Sequence, residues 1–187
     1  MAIHGDVAEH AAVLHTLKIE AVEVRTVQDF ANLDGLILPG GESTTIGKLM
    51  EIYGLKKELI RFATTPRKNL TTGNYQLPTI FGTCAGLILL AKFGLLAAKI
   101  ERNAYGRQLD SFETRLKIPA VSSKEISVAF IRAPKILSVG KSVEVLAKFE
   151  GVPIFIREKN IFATSFHPET LGETKIHEFV FAVKSGQ

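Results

Sequence analysis

Apolar and polar positions follow two rhythms along the chain, and the rhythm changes near its middle. From Val7 to Lys18 apolar residues recur at helical spacing (Val7, Ala11, Leu14, Leu17), with Asp6 placed to cap the helix. Ala21 to Val24 reads as a short strand and Val27 to Leu33 as a short helix. Gly35-Leu36-Ile37-Leu38 is a buried apolar strand that stops at Pro39-Gly40-Gly41. Helices are predicted from about Ser43 toward Tyr53 and from about Leu55 to Ala63, followed by a polar surface loop from Thr64 to Gln76. Pro78 to Gly82 is a second buried strand, and Gly86 to Ala91 begins another helix. This alternation implies a parallel sheet covered on both faces.

The second half is strand-like and closely spaced: Ile100 to Ala104, Glu113 to Ile118, Ile126 to Ile131, Val143 to Phe149, Pro153 to Arg157 and Ile161 to Ser165. A last helix is predicted over about Glu173 to Lys184. No repeat, low-complexity tract or Gly- or Pro-rich linker divides the chain. The expectation is one domain over residues 1–187, an α/β sandwich with an added antiparallel element.

Composition narrows the class. At 187 residues with 46% hydrophobic and 22% charged, the chain is ordinary for a globular protein with a sizeable core, not a disordered one. One cysteine excludes an intrachain disulfide framework and fits a reducing compartment. The balance of 23 basic against 19 acidic residues gives +4, and the basic residues are scattered, so nucleic acid is not an expected partner. No apolar run approaches the ~20 residues of a membrane span. Met1 to Asp6 lacks the layout of a secretory signal, so a cytoplasmic protein is expected.

The sharpest chemistry lies in Phe81-Gly82-Thr83-Cys84-Ala85-Gly86, which ends a strand and opens a helix with glycines on either side of the cysteine. That is the spacing of a nucleophile elbow, where small neighbours relieve the crowding of a sharp turn. A cysteine there meets free N–H groups and the helix dipole, which favour the thiolate. A buried apolar cysteine is the plain alternative, and the elbow context argues against it. Of five histidines, His10, His15 and His177 sit in predicted helices and read as ordinary partly buried or surface residues, and His4 lies near the terminus. His167, in Ser165-Phe166-His167-Pro168-Glu169, follows an apolar strand. Proline after it favours extended backbone, which points Glu169 to the same side as His167. Cys84, His167 and Glu169 thus fit nucleophile, acid–base and orienting carboxylate. Leu38-Pro39-Gly40-Gly41-Glu42-Ser43 reaches the same sheet edge, so amides of Gly41 and Ala85 are candidates for an oxyanion hole. No His, Cys and Asp cluster has metal-ligand spacing, and no catalytic metal is expected.

Together these residues resemble class I (triad-type) glutamine amidotransferases, and within them the glutaminase branch of the pyridoxal 5′-phosphate synthases. The resemblance rests on Asp34 to Thr45, Phe81 to Lys92, Glu101 to Gln108, Asp110-Ser111-Phe112, Phe130 to Pro134 and Ser165 to Glu169. It implies a three-layer, flavodoxin-like sandwich with a mostly parallel central sheet. It further implies that Cys84 attacks the side-chain amide of L-glutamine, that a thioester forms, and that His167 serves as acid and then base. Gly41, Glu42, Ser43, Arg102, Ile131 and Arg132 are implied in binding glutamine, with Gly41 and Ala85 at the oxyanion. The implied partner is a (βα)8-barrel synthase subunit in a large assembly, which receives the ammonia. Pyridoxal 5′-phosphate is then the product of the complex, and no cofactor is expected here. Family members begin with an apolar strand leading into Gln-Gly-Asp. Here Met1-Ala2-Ile3 precedes His4-Gly5-Asp6, so the first strand reads as truncated, with His4 at the Gln position. The alternatives are the glutaminase of another biosynthetic amidotransferase, or a non-catalytic binding subunit.

Overall fold

The structure, a computed structural model, describes residues 1–69, 72–102 and 111–182. Its centre is a five-stranded sheet ordered β1 (Gly35–Leu38), β4 (Thr79–Thr83), β11 (Ile161–Thr164), β10 (Val152–Glu158) and β9 (Glu144–Phe149). β1, β4 and β11 pair in parallel, with Leu36 opposite Ile80 and Phe162 opposite Phe81. β10 is antiparallel to both β11 and β9, so four of the five strands share one direction. The sheet is mixed but mostly parallel, as expected.

Period-two alternation sorts these strands between two cores. Leu36, Leu38, Ile80, Ile161, Ala163 and Ile156 face one side, packed with residues of α2 (Ser43–Ile52), α3 (Leu55–Thr64) and α4 (Ala85–Lys92). Ile37, Phe81, Phe162 and Phe155 face the other, packed with α5 (Lys175–Phe181) and with Leu14 of α1 (Val7–Thr16). Because both faces are covered, these strands are apolar at nearly every position.

Among the described residues three two-stranded ribbons flank the sheet: β2 (Arg67–Lys68) with β3 (Tyr75–Gln76), β5 (Ala98–Glu101) with β8 (Lys135–Val139), and β6 (Ser111–Leu116) with β7 (Ile126–Ile131). The β6–β7 ribbon is seated by stacked aromatics. Phe112 and Phe130 lie 4.8 Å apart at 12°, and Phe130 also meets Phe149 at 5.5 Å and Phe166 at 5.8 Å.

Several sequence expectations need correction. Ala21 to Val24 is not a strand: among the described residues its only ladder-like bond is from the Ala2 N–H to the Val24 carbonyl, 2.8 Å. The helix expected over Val27 to Leu33 is a single 3-10 turn, Val27–Phe30. The Thr64 to Gln76 loop contains the β2–β3 ribbon, and β8 was not foreseen. The strand expected to reach Ala104 ends at Glu101, and the last helix ends at Phe181. Asn103 to Asp110, within the blocks that carry the family resemblance, and Lys184 lie outside the described residues.

Candidate active site

β4 is apolar to its end, and the chain then turns sharply. Cys84, the N-cap of α4, has φ 47° and ψ −98°, a strained conformation for a residue with a Cβ. Two glycines make the turn possible. A Cβ on Gly86 would collide with the Leu38 carbonyl oxygen, and one on Gly82 would press into the Gly86 backbone. Without them α4 starts directly against β1, and the Cys84 N–H is tied to the Thr164 carbonyl at 2.9 Å. Cys84 is 7% exposed, and its sulfur lies 3.9 Å from the Ile131 carbonyl oxygen on β7.

The histidine arrives from β11. Beyond that strand the Ser165 N–H bonds to the Ile154 carbonyl, and the Thr164 hydroxyl donates to the Phe166 carbonyl, both at 2.9 Å. His167 then pairs with Ala129 of β7, its N–H reaching the Ala129 carbonyl at 2.8 Å. β7 therefore touches the nucleophile through Ile131 and pins the base through Ala129. His167 Nδ1 is 2.8 Å from Glu169 Oε1 and 3.2 Å from Asp6 Oδ2. With Nδ1 so engaged, Nε2 is the ring nitrogen left for the sulfur.

Burial works against a charged imidazole at His167. The hydrogen bonds with Asp6, Cys84 and Glu169 and the charge of Cys84 outweigh it and raise His167 above its ordinary range. Burial pushes Glu169 up, opposed by its bond to His167. Asp6, bonded to His167, is held below the usual carboxylate range. Gly40 completes the setting, because a Cβ there would overlap His167 Cε1 and Asp6 Oδ2.

The rest of the cleft is polar and open. Gly41, at φ 131°, lines it together with Glu42, Ser43, Cys84, Arg102, Ile131, Arg132 and His167. Glu42 caps α2, accepting the N–H groups of Thr44 at 3.1 Å and Thr45 at 2.6 Å. Those bonds, led by Thr45, hold its carboxyl down to about 2. Arg102 pairs with Glu42 at 3.1 Å and donates to the Thr44 hydroxyl at 3.0 Å. Arg132 is exposed at φ 43° and has no ion-pair partner among the described residues. Ala85 is 1% exposed as the first residue of α4, next to Cys84 and not on the cleft wall.

The structure thus lines one cleft with Gly41, Glu42, Ser43, Cys84, Arg102, Ile131, Arg132 and His167, with Glu169 behind His167 and Ala85 buried beside Cys84. It also adds some that sequence reasoning missed. Asp6 was read as a helix cap, yet its side chain makes no cap bond and turns to His167. The signal was positional, since a turn leaving the slot beside β1 opens on the same edge. His10 and His177 were read as ordinary helical residues. Both are buried, 2.9 Å apart, behind Glu169. Asp6, His167 and Glu169 bring three donor atoms within 4.8 Å of one another, a cluster that sequence spacing did not suggest. The Nδ1 proton shared with the two carboxylates accounts for it, and a metal would have to displace that proton.

Among the described residues no helix is long and apolar enough to cross a membrane. A family model for the SNO glutamine amidotransferase family matches residues 1–184. The chain is 42% identical over 189 residues to the pyridoxal 5′-phosphate synthase subunit PdxT of Pseudothermotoga lettingae, covering 96% of this chain and 91% of the relative. It is 40% identical over 195 residues to that subunit of Caldanaerobacter subterraneus subsp. tengcongensis, covering 99% and 97%. A crystal structure of a glutamine amidotransferase superposes with a TM-score of 0.84 at 39% identity, over 97% of this chain and 95% of that one. An elbow cysteine, a histidine backed by carboxylates and a match along nearly the whole chain lead to one statement: the chain belongs to the SNO glutamine amidotransferase family.

Proposed function

We propose that this chain is the glutaminase subunit of a pyridoxal 5′-phosphate synthase, hydrolysing L-glutamine and supplying the ammonia to a synthase subunit built as a (βα)8 barrel. The observation that carries the chemistry is the strained cysteine beside an imidazole whose Nδ1 is held by Glu169 at 2.8 Å. The glutamine side chain enters the cleft with its amide carbon at the Cys84 sulfur. With its proton already on His167 Nε2, the sulfur attacks, and the oxyanion is met by the amides of Gly41 and Ala85. Collapse breaks the C–N bond, His167 returns the proton to the leaving nitrogen, and ammonia departs from a thioester. Water, deprotonated by His167, attacks the thioester. Glutamate leaves, and the free sulfur beside protonated His167 is restored.

The rim suits an α-amino acid headgroup. Arg132, without an ion-pair partner among the described residues, offers a guanidinium for the carboxylate, and Glu42, ionised and flanked by Arg102, offers a carboxylate for the ammonium. Ser43 and Ile131 close the sides. Pyridoxal 5′-phosphate is on this reading a product of the complex, and no step needs a cofactor in this chain.

The test is ammonia release from glutamine by the chain mixed with a synthase subunit. Cys84→Ala is expected to lower kcat by about 10³-fold or more, as for other lost nucleophiles. Equal rates from parent and variant would sink the reading.

A further inference from the structure

We infer that His10 is a positioning residue for the catalytic carboxylate, the middle member of a buried chain from His177 through His10 to Glu169. The inference deepens the glutaminase reading and rests on it. His10 stands on α1 with Nδ1 2.9 Å from His177 Nε2 on α5. Its Nε2 is 3.1 Å from Thr83 Oγ1, at the end of β4, and 3.5 Å from Glu169 Oε1. His10 is 3% exposed and His177 0%. Phe81 meets both rings edge-on, at 6.3 Å and 5.4 Å, fixing their planes.

The surroundings assign the protons. One proton lies between His10 Nδ1 and His177 Nε2. If His177 donates it, His177 Nδ1 is a lone pair, and His10 carries its own proton on Nε2, facing Thr83 and the Glu169 carboxylate. In the reverse arrangement His177 Nδ1–H is a buried donor, and that atom has no partner among the described residues. His10 would then turn a lone pair toward the carboxylate. An orphaned donor and a lone pair against an anion both disfavour the reverse. Burial, joined for His10 by neighbouring positive charges, keeps both rings neutral near pH 7, so His10 supplies an oriented dipole and not a charge.

That dipole matters because the carboxylate is poorly served. Glu169 Oε2 has no hydrogen-bond partner among the described residues, so Oε1 takes what support there is. Among the described residues the titratable groups facing it are His167 from the loop after β11, Asp6 before α1, His10 on α1, Cys84 at the start of α4 and, one step back, His177 on α5. Removing the His10 N–H favours protonated Glu169, which no longer supports His167 in its acid–base role. The acid limb of activity then moves to higher pH.

The experiment uses the complex with a synthase subunit and three variants, His10→Phe, His10→Gln and His177→Phe. His10→Phe is expected to lower kcat about tenfold with KM changed less than about twofold, and to raise the acid limb by about one pH unit. His10→Gln, whose amide nitrogen stands near the position of Nε2, should stay within about threefold of the parent, and His177→Phe should fall between the two. Cys84→Ala run alongside separates the readings: equal ammonia release from it and the parent fails the glutaminase assignment itself. Independent of activity, ¹⁵N-histidine NMR of the parent should show His10 protonated at Nε2 and His177 at Nε2. His10 protonated at Nδ1, or a His10→Phe or His177→Phe enzyme with the parent's kcat and acid limb, overturns the inference.

Discussion

Gly40 lacks a side chain in a place where there is no room for one. A single methyl there overlaps both the ring of His167 and the carboxylate of Asp6, groups that the reaction needs in register. Gly40→Ala should therefore fold and yet lose about 10²-fold in kcat, a loss that steady-state kinetics beside a thermal melt would separate from unfolding. The buried histidines carry a different consequence, for stability. His177 takes its proton near pH 6.5 when unfolded and, because of burial, only near about 4 when folded. Between those values the unfolded chain binds more protons at this residue, so the contribution of His177 to stability is full above pH 6.5 and declines as pH falls toward 4. The decline is about 3 kcal/mol from His177 alone, with His10 acting in the same direction. Urea unfolding at pH 7.5 and pH 5 should record it, and His177→Phe should flatten the slope.

At the scale of elements, the β6–β7 ribbon is held by Phe112, Phe130, Phe149 and Phe166 in contact. Phe130→Ala should cost about 3–5 kcal/mol by leaving a cavity, and should reduce kcat too, because the same strand carries Ala129 and Ile131. Chemical denaturation together with kinetics checks both halves. This scale also separates what the sequence reveals from what it hides. β1, β4 and β11 were legible because strands buried on both faces are continuously apolar, and the elbow was legible because its glycines are sterically compelled. β8 was missed because its partner β5 lies far away in the chain and its Lys135-Ile136-Leu137-Ser138-Val139 run is only half buried. Ala21 to Val24 looked like a strand because local pattern cannot report whether a neighbour exists to pair with it. The roles of Asp6, His10 and His177 were invisible for a related reason. Each belongs by spacing to a helix, and only the packing of α1 and α5 at the end of β4 turns them toward His167 and Glu169.

Taken whole, the molecule places its one cysteine at the end of β4, in the sheet that separates two packed cores. An electrophile shaped like glutamine, such as a chloroketone analogue, should add once per chain, at Cys84, and glutamine in excess should slow the addition. Intact-mass spectrometry followed by peptide mapping would read this, and a label elsewhere or more than one per chain would count against it. The five-stranded sheet fixes only half of the reacting pair's geometry, since it sets where sulfur and ring enter but not how they are aimed. Aim comes from β7, a strand outside that sheet, gripping Ile131's neighbour across the cleft with one hand and His167's backbone with the other. Such a mounting works like a rudder. A slight tilt of the ribbon would shift both members at once, at the expense of the aromatic contacts that seat it.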